Sequence, residues 1–539
     1  MKKELLVTDF LDRATKYFAD EEAVVATTGE RYTYGEFGER VDRFSAALQE
    51  RGIEKGDRVA VLDPNTHYHL ESAYAIMQIG AVHTPLNYRL TPGDYEYILN
   101  DAGVDAVFAD YEYADKIAEI RDEVPAEVFV TNDPDAVEGD WEAFDSILED
   151  VDPDDRERPE MAEDDVITIN YTSGTTGDPK GVMRTHRTES LHAQVLSIHH
   201  EIRDDDVYLW TLPMFHVNGW GHIYAVTGLG GKHVCSRGVD AEWVADTVRE
   251  EDVSLMCGAP TVLNMLIEYY EETGEPEMSG ENDVRVVAAG AAAPEATIRT
   301  VEEEFEWYFK QLYGATETGP LVTTSASRRQ FDADDPDRFA LKKRQGQGVL
   351  GTEVRVVDDD GTDVPWDDST IGEVVVRGNQ VMEGYWEKPE ATEEAFTDKV
   401  EGYYHTGDLA VVDENGYVSV QDRKKDIIIS GGENISSIEV EDALFEHDAV
   451  ASVAVVPVPH EKWGETPKAF VVPTNGDPEA PGVTAEELLG FARDHLAGFK
   501  VPSELEFVEA LPTTATGKVQ KYELREREWG EEERMVGEG

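Results

Sequence analysis

Between Tyr171 and Val182 the chain reads YTSGTTGDPKGV, where hydroxyls, glycines and one lysine follow a branched apolar strand at Val166 to Asn170. Glycine lets a backbone approach an anion closely and take positive φ. Successive amides in such a loop form an anion-binding concavity. Thr172, Ser173, Thr175 and Thr176 add hydroxyl donors around Gly174 and Gly177, and Lys180 adds a full positive charge. That combination can grip a phosphate, although GxxxxGK[ST] cannot be laid over it. A second stretch, QLYGATETG from Gln311 to Gly319, complements it. Tyr313 offers a stacking face, Gly314 allows close approach, and Thr316 and Glu317 supply the oxygen ligands that a hard cation such as Mg²⁺ takes when it bridges nucleotide phosphates.

Other residues add to this set. Asp408, in YHTGDLA, could accept two hydrogen bonds from a ribose diol, although aspartate in such a turn also serves as a simple turn former. The small-residue run Ala288 to Ala291, with Gly290, could lie flat against an adenine ring, or pack tightly for its own sake. PMFHVNGW, Pro213 to Trp220, puts His216, Asn218 and Trp220 at a strand's carboxyl end, where open α/β sheets bind ligands. A structural histidine and a core tryptophan are the plain alternative. Near the end, PTTATGK places Lys518 on a glycine-containing loop, where a lysine is ordinarily just solvated.

In this order, from Tyr171 to Lys518 with weaker likeness back to Tyr32, the motifs resemble the adenylate-forming superfamily of acyl-CoA synthetases, luciferases and peptide-synthetase adenylation domains. The resemblance implies ATP, coenzyme A and a small carboxylic acid as substrates, with Mg²⁺ held by Glu317 and Thr172. It implies ATP and AMP contacts from the 172–177 loop, Lys180, Gly290, Gln311, Tyr313, Gly314 and Thr316. It adds Asp408 and Arg423 on the ribose, and Lys518 as a lysine that swings in for adenylation. His216, Val217 and Trp220 would line the acyl pocket, with His216 among the catalytic groups. Lys425 would be the pivot of a mobile C-terminal domain, and Gly431 and Gly432 would line the CoA channel. Met214-Phe215-His216 offers no carboxylate for a substrate amine, which favours a simple acid, and Trp220 suggests a fatty one of medium or longer chain. Ligases for aryl, branched or thioether acids are the rivals within the class. A non-catalytic nucleotide-binding protein on the same fold is the rival outside it.

These groups need a scaffold. Strand–helix alternation from Arg31 onward predicts doubly wound parallel sheets. From Val354 the pattern changes to short alternating strands, including a hairpin turning at Glu414-Asn415-Gly416, which reads as a small β-barrel-like subdomain. The charged cluster around Asp422 reads as a boundary, and a compact α+β domain follows. The expected division is thus a large α/β N-terminal domain over 1–421, a hinge over 422–426 and a smaller mobile domain over 427–539. With 539 residues the chain is too long for a single core. It carries 114 acidic against 47 basic side chains, a net charge of −67. Such acidity disfavours nucleic acid and fits a surface adapted to concentrated salt. Cys235 and Cys257 make neither a disulfide framework nor a zinc motif, and no apolar run is long enough for a membrane span. A cytoplasmic enzyme is expected, with a homodimer left open.

Overall fold

The computed structural model describes residues 3–172, 179–274, 276–325, 337–397, 400–424, 426–430, 433–460, 462–513 and 519–529. Its contacts divide the chain into two compact units, 1–353 with 376–395 and 354–375 with 396–539.

The first unit is built on two large mixed sheets. One has eight strands, in the order Gly384–Tyr385, Lys180–Thr185, Val166–Thr172, Val82–Pro85, Arg58–Leu62, Ala106–Ala109, Val128–Thr131 and Glu142–Ala143. Its middle is parallel and wholly buried, and Val59, Ala60, Val61 and Leu62 supply the continuous apolar run that such strands need. Toward one edge, Val166–Thr172 turns back antiparallel into Lys180–Thr185. The other sheet has nine strands and a parallel centre formed by Val207–Leu209, Leu255–Gly258, Arg285–Ala288 and Tyr308–Tyr313. Its far edge comes from the start of the chain: Glu22–Val25 lies parallel to Lys232–Val234 and pairs antiparallel with Arg31–Thr33.

The helix Tyr34–Glu50 shows why the periodicity was readable. Thr33 and Glu36 form a capping box at its start, and Phe37, Val41, Phe44, Ala47 and Leu48 face the core. Gly52, at φ 85°, takes the left-handed conformation that ends it.

The β-rich stretch forms a four-stranded sheet ordered Thr352–Val357, Gly372–Gly378, Tyr404–Val412 and Val418–Arg423. Gly416, at φ 79°, makes the expected hairpin turn. A further sheet is centred on the long hairpin Val450–His460 and Gly464–Pro473, with Glu504–Phe507 added in parallel. The helices Ser437–Phe445 and Ala485–His495 pack their apolar faces with it in one core.

Candidate active site

The hairpin Val166–Thr172/Lys180–Thr185 brackets the glycine-rich loop. Thr172 and Lys180 are direct cross-strand partners, and the Thr172 hydroxyl donates to the Lys180 carbonyl at 3.4 Å. Ser173, Gly174, Thr175, Thr176 and Gly177 lie outside the described residues. The same holds for Lys425, Gly431, Gly432 and Lys518.

Lys180 and Glu317 are joined through a residue that no motif had singled out. Tyr385 pairs with Val182 on the edge strand Gly384–Tyr385. Its hydroxyl donates to Glu317 Oε1 at 2.9 Å, and the Lys180 ammonium stands 5.1 Å from its ring centroid, within cation–π range. The Met382 amide donates to the Glu317 carbonyl at 2.7 Å, and the Trp386 amide to the Gly181 carbonyl at 2.7 Å. These bonds fix the segment that carries Tyr385 to both charged positions. The only sequence signal for Tyr385 was an aromatic pair after glycine, in EGYW.

Gln311, Tyr313, Gly314 and Thr316 converge on the same end of the nine-stranded sheet. The Gln311 amide nitrogen donates to the carbonyls of Ala288 at 3.2 Å and Ala291 at 3.0 Å, while its oxygen accepts from the Ala293 amide at 3.2 Å. The small-residue turn, with Gly290 at φ 90°, is therefore held from beneath by Gln311. Tyr313 ends its strand half-buried. At Gly314 a Cβ would run into the Pro320 carbonyl, so only glycine fits there. Glu317 lies in the single 3₁₀ turn Thr316–Thr318.

The residues expected to line an acyl pocket sit on a turn of unusual hand. Val217, Asn218, Gly219, Trp220 and Gly221 have φ of 47°, 55°, 57°, 52° and 80° in succession, one turn of left-handed helix. Each non-glycine residue in that conformation costs roughly 1–2 kcal/mol, so its surroundings must enforce it. Gly219 lies flat against the Trp210 ring and Gly221 against His192, leaving no room for a Cβ at either. His192 Nε2 donates to the Trp220 carbonyl at 3.0 Å, and burial pushes its pKa down to about 3, so it is a neutral strut. Asn65 braces the approach, accepting from the Met214 amide at 2.7 Å and donating to the carbonyls of Trp210 and Leu212. Trp220 is buried and His216 half-buried at the turn's entry.

In the second unit, Asp408 and Arg423 are cross-strand partners, with Arg423 Nε 3.2 Å from Asp408 Oδ1. The Thr406 hydroxyl accepts from the Asp408 amide at 3.0 Å and donates to the Val374 carbonyl at 2.8 Å. Thr-Gly-Asp, expected as a turn, lies within the strand Tyr404–Val412, where the Thr406 bonds fix a carboxylate beside a guanidinium.

Comparisons with known proteins identify the family. The AMP-binding enzyme family matches residues 11–386, and the AMP-binding enzyme C-terminal domain matches residues 439–518. The chain belongs to the AMP-binding enzymes, the adenylate-forming superfamily whose motifs it carries. It is 39% identical over 524 residues to 4-hydroxybutyrate–CoA ligase 2 of Metallosphaera sedula, covering 96% of this chain and 93% of that one. It is 36% identical over 533 residues to 2-methylpropanoate–CoA ligase CCL4 of Humulus lupulus, covering 96% and 94%. Its fold is similar to that of the anthranilate CoA ligase AuaEII in complex with anthranoyl-AMP, with a TM-score of 0.86 at 25% identity over 98% of each chain.

Proposed function

We propose that this chain is an AMP-forming acid–CoA ligase for a simple monocarboxylic acid, working in concentrated salt. The observation that carries the reading is the Lys180–Tyr385–Glu317 constellation beside the bracketed phosphate loop. In the first half-reaction the acid's carboxylate attacks the α-phosphorus of ATP and expels pyrophosphate. In the second the CoA thiol attacks the acyl-adenylate and AMP leaves. Phosphoryl transfer of this kind needs positioning and charge neutralisation above all.

Lys180, and Lys518 once delivered, neutralise the phosphates. Glu317 and Thr172 are hard oxygen donors and fit Mg²⁺, which would supply further charge neutralisation there. Tyr385 occupies Glu317 Oε1 and leaves Oε2 for that task. Gln311, Tyr313, Gly314, Thr316 and Gly290 seat the adenine, and Asp408 with Arg423 takes the ribose. In this reading 422–426 is the hinge between 1–421 and 427–539. Rotation about Lys425 withdraws Lys518 and brings Gly431 and Gly432 to the pantetheine.

Met214-Phe215-His216 supplies no carboxylate for an amine, which supports a simple acid over an amino acid. Two relatives named for four-carbon acids support an aliphatic one. The two four-carbon relatives move the expected acid to the short-to-medium end, below the medium or longer chain that Trp220 alone suggests. The test is AMP release in multimolar KCl with ATP, Mg²⁺ and a panel of acids, with and without CoA. CoA-dependent release with C4–C8 aliphatic acids is expected, and release with aryl acids alone would overturn the aliphatic assignment. AMP formation without thioester would overturn the CoA assignment. Lys518→Ala should abolish adenylation while ATP still binds; no acid-dependent turnover by the folded wild type, with ATP bound, would favour the non-catalytic reading.

A further inference from the structure

Behind the left-handed turn lie three side chains that the proposed reaction does not use. His200 caps the helix His186–His199, His222 opens the helix His222–Leu229, and Cys257 sits in the strand Leu255–Gly258. All three are buried, and one ligand atom from each lies within 4.8 Å of the other two. His222 Nδ1 donates to the Gly219 carbonyl at 3.0 Å, which leaves the lone pair on Nε2. That lone pair faces His200 Nδ1 at 3.2 Å and Cys257 Sγ at 3.4 Å. It can accept from only one of them at a time. The remaining nitrogen of His200 is buried and has no partner among the described residues.

Two of the three spacings are close to those of a coordination shell, and the third lies within 4.8 Å. Nitrogen and sulfur atoms bound at ~2.0–2.3 Å around a tetrahedral or trigonal ion lie roughly 3.3–3.8 Å apart. A carbonyl bond on the far ring nitrogen is the usual way a ligating histidine is oriented, and the Gly219 carbonyl provides it. The Tyr208 ring stacks on His222 at 4.7 Å and 9°, which fixes the imidazole plane. We propose that His200, His222 and Cys257 bind one thiophilic closed-shell cation, Cu⁺ or Zn²⁺, as a structural site behind the acyl turn. Two neutral imidazoles and one thiolate suit such ions. With no carboxylate in the group, the Cu⁺ complex is net neutral; a Zn²⁺ complex would keep a positive charge and lack its usual fourth ligand. On binding, the Cys257 thiol loses its proton to solvent and the His200 proton rests on Nε2. The ion ties the ends of two helices to the central sheet and clamps Gly219 through His222.

The test uses the full-length protein, made without a histidine tag, equilibrated with Zn²⁺ or, under reductant, with Cu⁺, and then desalted. About one ion per chain should be retained, as for a buried structural site, and the thermal midpoint should rise on loading. Cys257→Ser should lose the ion and Cys235→Ser should keep it. X-ray absorption at the metal edge of the wild type needs no variant, and should report one sulfur at about 2.3 Å and nitrogen at about 2.0 Å. Retention no greater than in Cys257→Ser, or a shell without sulfur, would overturn the site. Metal analysis of the protein as isolated, before any loading, distinguishes copper from zinc. None of these readouts depends on the ligase reading.

Discussion

The two sides of the first unit's site are built by opposite means. On the phosphate side, Lys180, Glu317 and Tyr385 are joined by one hydrogen bond and one ring–cation contact across a strand edge. On the proposed acyl side, the turn 217–221 has a strained backbone and is held by the close approach of Trp210 and His192. The first arrangement stores its specificity in charged atoms, the second in the shape of what surrounds it. Substitutions should therefore separate turnover from stability according to the side they touch.

Glu317→Gln should give the largest effect. Removing a ligand of the cation proposed to neutralise the phosphates costs on the order of 10²–10³ in rate, read as acid-dependent ATP–pyrophosphate exchange, with the urea midpoint unmoved. An equal loss of stability would mean that Glu317 is structural. Gly219→Ala should do the reverse. A Cβ pressed into Trp210 at positive φ should lower unfolding free energy by about 1–3 kcal/mol or more, and the KM for the acid should change before the KM for ATP. If the variant is as stable as the parent, the left-handed turn is not enforced by packing.

The pH dependence sharpens the same contrast. Burial holds His192 and His233 down at about 3. The unfolded chain protonates both near pH 6.5 while the folded one does not, so their contribution is intact above about 6.5 and is lost as pH falls toward 3. Between pH 7.5 and 5.5 each should remove on the order of 1 kcal/mol of stability. His192→Gln should flatten that slope, as urea titrations at several pH values would reveal; an unchanged slope would show that His192 titrates normally. The smallest effect should come from Tyr385→Phe, which keeps the ring under Lys180 and deletes the bond to Glu317. About fivefold in adenylation rate, near 1 kcal/mol, is expected, with a weaker apparent affinity for Mg²⁺ and no change in the KM for CoA.

Legibility in the sequence follows the same division. The strand before the loop, Lys180, the Gln311–Gly319 element and the Glu414–Gly416 hairpin all depend on local chemistry, whether glycine, charge or apolar period, and all could be read directly. Tyr385 could not, because its partner Glu317 is 68 residues away and the contact depends on strand pairing. The left-handed turn was equally hidden. PMFHVNGW contains glycine and asparagine, which tolerate positive φ, but the ring that forces Gly219 into place comes from Trp210, just past the preceding strand, and the one behind Gly221 from a separate helix. The His200, His222 and Cys257 group has no linear spacing at all, since its members meet only when two helix ends reach one strand.

The nine-stranded sheet leaves one consequence for biosynthesis. Its outer strands, Glu22–Val25 and Arg31–Thr33, find their neighbour only at Lys232–Val234, about two hundred residues later. At a translation rate of ~5–20 residues per second the N-terminal ribbon must wait roughly 10–40 s for the edge it completes. During that interval it is an unpaired β-edge outside the ribosome, and Glu21, Glu22, Glu30 and Arg31 around it are the charges that keep it from pairing with another chain.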